Sequence, residues 1–154
     1  MAAAEEWESF MEAIAMGRVT TEARIENQND LALVEEGVRQ PNDVRAITVS
    51  DALVDTGATT LALPSRLIKQ LGLKKRFDRQ VTTTKGKSTV AVYGAVRVTI
   101  QGRECVTHVM EVPDDVPALI GQVPLEMMDL VVDLQARKLI GNPAHGGEHV
   151  LELY

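Results

Sequence analysis

The tetrapeptide Asp55-Thr56-Gly57-Ala58 is the part of the sequence whose residue types can do chemistry. It follows the apolar run 52–54, so a carboxylate stands where a buried strand is expected to end. Burying an unpaired charge costs several kcal/mol or shifts its pKa, and proteins keep such a group where it is paired or reactive. The motif occurs once in the 154 residues. Asp55 is therefore the first candidate for a catalytic side chain.

Composition narrows the classes of function that this acid could serve. A length of 154 residues predicts one domain. A hydrophobic share of 45% is enough for a core, which must be mostly aliphatic because aromatic residues make up only 3%. The 16 basic and 22 acidic residues give a net charge of −6, which argues against nucleic acid as a partner. The densest basic run, Lys74-Lys75-Arg76, is expected to be a solvated helix exit.

Cysteine and histidine usage gives no sign of a disulfide, a metal site or a thiol nucleophile. Cys105 is the single cysteine, which fits a reducing compartment, and we expect it to be a small buried hydrophobe. His108, His145 and His149 are scattered, and the last two flank a Gly-Gly pair. We expect exposed loop residues there rather than zinc ligands. The sequence therefore predicts no metal and no organic cofactor.

The N-terminus predicts neither secretion nor membrane insertion. Residues 1–7 are acidic where a signal peptide would be basic. No apolar stretch approaches the roughly 18 residues that a membrane span needs. We therefore expect a soluble, cytoplasmic protein without a membrane partner.

The helices that could position the Asp55 loop are few and short. Apolar residues spaced three and four apart predict an amphipathic N-terminal helix over residues 5–16. A helix over residues 64–71 is predicted soon after the motif, with Pro64 at its first position and Gly72 just past its end. Shorter helical segments are predicted at residues 30–36 and 125–128.

The rest of the chain has the alternation and turn residues of strands. Two β-prone arms around Lys85-Gly86-Lys87 predict a hairpin, and a second hairpin is predicted at residues 130–140. The remaining predicted strands are 18–25, two segments within 44–54 broken near Ser50-Asp51, 95–100, 104–112, 118–120 and a final strand in 149–154. This organisation is mainly β with short helices, in a single domain.

The order of these features resembles the retropepsin-like aspartic proteases, and looks more like their stand-alone cellular or bacterial members than a viral enzyme. The resemblance rests on residues 53–58, on the hairpin 81–93 and on Leu119-Ile120-Gly121. It covers roughly residues 44–141. The predicted domain organisation is an N-terminal helix at 1–17, a retropepsin-like domain at 18–141, and a C-terminal loop and strand at 142–154.

The resemblance implies a closed β-barrel or sandwich of the acid-protease type and a role for each matching residue. Asp55 would be the catalytic acid, Thr56 would hydrogen-bond across a subunit interface, Gly57 would allow close approach of the substrate, and Ala58 would line the cleft floor. The hairpin would be the flap, with Thr84, Lys85, Gly86 and Lys87 at its tip. Ile120 and Gly121 would form the second signature beneath the active-site loop, and side-chain pockets would be lined by Val116, Pro117 and Leu119.

The chemistry of such a site requires two carboxylates. Peptide hydrolysis without a metal needs a base to activate water and an acid to protonate the carbonyl oxygen or leaving amine. Two carboxylates about 3 Å apart cannot both ionise, so together they supply one acid and one base. Since Asp55-Thr56-Gly57 occurs once, the second carboxylate must come from a second copy of the chain. The sequence therefore predicts a C2 homodimer with the active site on its axis and a peptide or protein substrate.

Two positions depart from the family pattern. Retroviral members commonly have an acid directly after Asp-Thr-Gly-Ala and a basic residue directly after the second-signature Gly. Here those positions are Thr59 and Gln122, so a weaker polar contact is expected to replace the charged pair. The N-terminal 45 residues and the tail from Asn142 have no family counterpart, and the alternating C-terminal strand is the first choice for a dimer sheet.

Two other functions compete with proteolysis. Phosphoryl transfer through an aspartyl nucleophile usually wants a second acid two residues later, and here that residue is Gly57. Asp129 and Asp133 are expected to be turn and strand-surface acids rather than catalytic ones. A catalytically silent, dimeric peptide-binding or assembly module on the same fold is the more serious alternative, since a peptide can add as a strand beneath the flaps.

Overall fold

The computed structural model describes residues 18–83 and 85–153 of the chain. The helix predicted over residues 5–16 and Thr84, which the resemblance assigns to the flap tip, lie outside the described residues. The domain limits predicted for the N-terminal segment therefore stay a prediction.

Nine strands and three short α-helices make up the described chain, which confirms the prediction of a mainly β fold with a few short helices. The strands are β1 Thr20–Asn27, β2 Ala46–Val54, β3 Leu61–Pro64, β4 Lys74–Thr83, β5 Gly86–Ile100, β6 Arg103–Val112, β7 Leu119–Ile120, β8 Leu130–Asp133 and β9 Lys138–Gly141. The helices are α1 Gln28–Glu35, α2 Ser65–Gln70 and α3 Gln122–Met127, and single turns of 3-10 helix cover Pro41–Asp43 and Pro143–His145.

Seven strands form the main sheet in the order β1-β2-β7-β3-β6-β5-β4, and β8 and β9 form a separate hairpin. Strand β1 also pairs with β5, from Arg24 opposite Thr99 to Asn27 opposite Val96. The ladder of hydrogen bonds thus returns to its first strand. Strand β4 stands outside this ring as the end strand, paired with β5.

The core lies inside this ring of strands. Strand β5 shows why: Val96, Val98 and Ile100 are buried, while Arg97 and Thr99 between them are half-buried. This period of two is the one predicted from the sequence for residues 95–100. The core is filled by aliphatic side chains from most of the elements, among them Ile25, Leu61, Leu63, Leu71, Val109, Ile120, Leu125 and Met128.

Two predicted strand breaks are wrong, because the structure absorbs the irregular residues in bulges. The sequence predicts two segments within residues 44–54, but β2 runs without interruption and Ser50-Asp51 forms a bulge opposite a single residue of β1. Likewise, the predicted strands 88–93 and 95–100 are one strand, β5. The extra residue lies at Gly94-Ala95, where the register with β6 shifts.

Three smaller predictions are corrected near the helices and the tail. Pro64 ends β3 and caps α2 in an extended conformation, so the helix begins one residue later than predicted. Lys74-Lys75-Arg76 is the start of β4 rather than a helix exit. Residues 149–153 form no strand, because the backbone N–H of Val150 donates to the Asp129 carboxylate instead of to a neighbouring strand.

Within the described residues, no helix has the length and apolar character that crossing a membrane requires.

Candidate active site

The Asp55 loop begins where β2 leaves the sheet. The backbone N–H of Asp55 donates to the carbonyl of Ile120 over 2.9 Å, which is the last bond before the chain turns. Within the turn, the Asp55 Oδ1 accepts from the N–H of Gly57 at 3.0 Å, and its carbonyl accepts from the N–H of Ala58 at 3.1 Å. These bonds fix the carboxylate relative to its own backbone.

In a single chain the Asp55 carboxylate is half-buried, not buried as the sequence suggested. Thr56 and Gly57 next to it are exposed, because the loop extends beyond the sheet at this point. Asp55 is therefore partly accessible to solvent, so that a water, a substrate or another chain can reach it.

Strand β7 holds the base of the loop from the other side. Leu119 lies opposite Leu53 in parallel pairing with β2 and opposite Ala62 in antiparallel pairing with β3. The N–H of Leu53 donates to the Ala118 carbonyl at 2.8 Å. A two-residue strand thus connects the segment before Asp55 with the segment after it, and the loop between them is closed at its base.

Gly121 is required by close packing against the Asp55 loop. A Cβ built at Gly121 would lie 2.4 Å from the Thr60 carbonyl oxygen and 2.6 Å from the Thr60 nitrogen, distances that no side chain tolerates. Directly after it, the N–H groups of Gln122 and Val123 donate to the carbonyls of Ala58 and Thr59 at 2.8 and 2.9 Å. The structure therefore brings the second signature, with Ile120 and Gly121, into direct contact with the Asp55 loop.

The uncharged pair Thr59 and Gln122 does not form the expected side-chain contact. The Gln122 amide donates to the Glu126 carboxylate at 3.0 Å within α3, and Thr59 is exposed. The two segments are joined by the backbone bonds described above. Backbone bonds need no particular side chain, which explains why this chain can lack a charged pair at these positions.

The hairpin predicted at residues 81–93 is present, formed by β4 and β5, with a turn one residue earlier than expected. Gly86 and Lys87 belong to β5, Thr83 pairs with Gly86, and Lys85 between them is a turn residue. Gly86 has a φ of +112°, a conformation that favours glycine. Lys85, Gly86 and Lys87 are all exposed.

Two of the three predicted pocket residues are core residues in this chain. Val116 and Leu119 are each 2% exposed and pack with Leu53 and Val112 in a small second core cluster beneath the loop 113–117. They therefore present almost no surface to a substrate. Pro117 is half-buried and is the one predicted pocket residue with appreciable surface.

Cys105 has the character of a core residue, as the sequence predicted. It is 6% exposed, and burial raises the pKa of its thiol to about 11. A thiol with so high a pKa is not a nucleophile near neutral pH.

A network around His145 was missed from the sequence, which predicted exposed loop histidines and turn acids here. Asp129 is buried, and its carboxylate accepts hydrogen bonds from the Asn142 amide at 3.1 Å and from the Val150 N–H at 3.1 Å. The His145 Nδ1 lies 2.7 Å from the same carboxylate. The His145 Nε2 lies 3.2 Å from the Glu152 carboxylate. No sequence signal joins residue 129 to residue 145, because the loop after β9 creates the contact.

The electrostatics of this network favour a charged pair. Burial alone would raise the pKa of Asp129, but the hydrogen bonds from His145, Val150 and Asn142 outweigh burial and lower it to about 2. The hydrogen bonds to Asp129 and then to Glu152 raise the pKa of His145. The described residues contain no group of three or more His, Cys, Asp or Glu side chains arranged to hold a metal ion.

Comparison with known protein families gives a match. Residues 47–126 match the family described as gag-polyprotein putative aspartyl protease, a span that includes the Asp55 loop, the β4–β5 hairpin and Gly121. The search of curated proteins found no match to the chain.

Proposed function

The chain belongs to the retropepsin-like aspartyl protease family, and from this premise we propose that it is an aspartic endopeptidase that works as a homodimer. The observation that carries the proposal is the Asp55 loop. Its carboxylate is fixed by the Gly57 N–H, its base is closed by β7 and Gly121, and Asp55 is half-buried and so partly accessible to solvent.

The proposed reaction uses one Asp55 from each subunit. Two such carboxylates facing each other across a two-fold axis share one proton, so that the ionised one takes a proton from the attacking water and the protonated one donates to the substrate carbonyl. Because Thr56 directly follows Asp55 and is exposed, we assign it the hydrogen bond across the interface that holds the two loops together. Ala58, half-buried after the turn, forms the cleft floor.

The fold supports this arrangement. The return of the strand ladder from β5 to β1 agrees with the closed barrel that acid proteases have, and the β4–β5 hairpin takes the place of the flap. Closing the flap over the substrate excludes water from the dyad. The substrate is a polypeptide in extended form, and Pro117 contributes to a side-chain pocket.

Exposed apolar side chains near the Asp55 loop support a dimer. Val123 and Met127 lie on α3, directly after the segment bonded to the loop, and the Met127 carbonyl is 3.1 Å from His149 Nε2 in the C-terminal segment. In that segment Leu151 and Leu153 are 63% and 85% exposed. We propose that these side chains are covered by the second subunit.

Cleavage of a mixed peptide library by wild type and by Asp55→Asn tests the proposal. An asparagine cannot ionise or share the proton, so we expect kcat/KM to fall by about 10²–10⁴-fold. Asp51→Asn is the matched control, because Asp51 is an exposed acid in the bulge of the same strand, and it should keep wild-type activity. Equal product patterns from wild type and Asp55→Asn would refute the proposal, and peptide affinity without turnover in wild type would indicate the peptide-binding module instead.

A further inference from the structure

The β4–β5 hairpin has a charge opposite to that of the rest of the chain. Residues 74–87 contain six basic side chains and one acidic one, a net charge of +5 in a chain whose total is −6. The remaining residues therefore sum to −11. An anionic ligand would be attracted to the hairpin and repelled by the body of the protein.

The geometry of β4 leaves both its side chains and one backbone edge available. Residues 74–80 are all exposed. Strand β4 is the end strand of the main sheet, and β5 is its one strand partner among the residues that the structure describes. An end strand of this kind can accept a further strand through main-chain hydrogen bonds, with side-chain contacts deciding which strand it accepts.

The positive charge on this edge is not cancelled within the hairpin. Asp78, its single acid, is paired with Lys75 at 2.8 Å, and Arg76 is occupied by the Gly94 carbonyl at 3.1 Å. The guanidinium of Arg79 lies 5.1 Å from the centre of the Phe77 ring. This cation–π contact holds the guanidinium over the ring, and its N–H groups can still bind a carboxylate.

We propose that the outer edge of β4 binds an acidic stretch of the substrate in extended form, so that the enzyme selects polypeptides with Asp or Glu residues near the cleaved bond. This inference rests on the proposed function, because it takes the hairpin as the flap of a protease. Basic residues on an edge strand also prevent pairing with other chains. Here the same residues reject neutral and basic strands and accept acidic ones. A long nucleic acid would be repelled by the acidic body.

Two peptides with one cleavable core test the proposal. One carries four glutamates on a flank and the other carries four glutamines at the same positions, with each flank tried in turn. We expect wild type to have the higher kcat/KM on the glutamate peptide. In Lys74→Gln/Arg79→Gln the ratio of the two kcat/KM values should fall by about three- to tenfold, as exposed ion pairs allow. Raising the salt concentration should lower the wild-type ratio in the same direction.

Lys69→Gln/Lys138→Gln is the matched control, since it removes two exposed basic residues outside the hairpin and gives the same net charge. Its ratio should stay at the wild-type value.

A wild type without preference, or an equal fall in both double variants, overturns the inference while the proposed function stands. If wild type cleaves neither peptide, the proposed function fails and the selection of substrates fails with it. Fluorescence anisotropy with Asp55→Asn then decides the remaining claim, that the edge of β4 binds an acidic strand: loss of glutamate-peptide binding on adding Lys74→Gln/Arg79→Gln supports this claim, and unchanged binding overturns it. Oligo-dT displacing the glutamate peptide with the same dependence on these residues also overturns it, in favour of nucleic acid.

Discussion

At the scale of single residues, the position of the Asp55 carboxylate depends on a glycine far away in the sequence. The backbone of Gly121 touches the backbone of Thr60 with no room for a methyl group. Backbone atoms cannot rotate aside as a side chain can, so any larger residue must push the Asp55 loop outward. Catalysis that depends on two carboxylates about 3 Å apart is sensitive to such a shift.

We therefore expect Gly121→Ala to lower both stability and activity. Overpacking of this kind costs about 1–3 kcal/mol in the free energy of unfolding, and peptide cleavage should fall at least about tenfold because the loop moves. Urea denaturation and kcat/KM measure the two effects. Gly102→Ala is the comparison: φ at Gly102 is +76° but nothing lies within 4 Å of its Cβ, so it should cost stability without costing activity. Full activity in Gly121→Ala would contradict the assignment.

The His145 network predicts a pH dependence of stability with a definite sign. Both ring nitrogens face carboxylates, which only a doubly protonated ring can satisfy by donating from each. The folded pKa of His145 is raised, so its contribution is complete below the ordinary pKa of 6.5 and is lost as pH rises through the raised value. For Asp129 the pKa is lowered to about 2, so its contribution is lost as pH falls from 3.8 toward 2.

Urea denaturation of wild type and His145→Gln between pH 5 and about pH 9 tests this sign. We expect the free energy of unfolding of wild type to decline above pH 6.5, and His145→Gln to show a flatter profile. His149→Gln, which loses one bond to the Met127 carbonyl, should keep the wild-type profile. Identical profiles for wild type and His145→Gln would contradict the role given to this network.

At the scale of elements, local pattern and turn chemistry are enough to predict most strands and helices from the sequence. The alternation in residues 95–100, the two hairpins and the short helices after Pro64 and Gly121 are predicted in this way and are confirmed. The bulge at Ser50-Asp51 is instead predicted as a strand break, because a polar pair within an apolar run looks the same in both cases. The contact between Asp129 and His145 depends on how two loops pack together, and the spacing of residues in the sequence does not predict such a contact.

The proposed dimer can be tested through the C-terminal segment, which contains the exposed Leu151 and Leu153. Because Leu151 and Leu153 are largely exposed in the single chain, replacing both by serine should leave the stability of the monomer unchanged. Burying a leucine contributes about 1.5–3 kcal/mol, so the dissociation constant of the dimer should rise at least about tenfold. Analytical ultracentrifugation measures it. Val38→Ser/Leu134→Ser removes two comparably exposed side chains elsewhere and should have no effect; an equal loss in both variants would argue against this interface.

At the scale of the whole molecule, the proposed sharing of one active site would make the two subunits dependent on each other. An Asp55→Asn chain that pairs with a wild-type chain leaves one ionisable carboxylate in the site, so the mixed dimer should be inactive. After exchange of subunits in a one-to-one mixture, activity should be about one quarter of that of the same total amount of wild type. A value near one half would show that each chain works alone.

The position of strand β7 in the sequence also determines when the Asp55 loop can form during synthesis on the ribosome. Synthesis proceeds from the N-terminus, so Asp55 emerges well before Leu119, the residue that lies between β2 and β3 and closes the base of its loop. Contacts between such distant positions form late, because the intervening chain must first be ordered. A growing polypeptide therefore carries the acid but not its support, and proteolytic capacity begins only once the last third of the chain has been translated and folded.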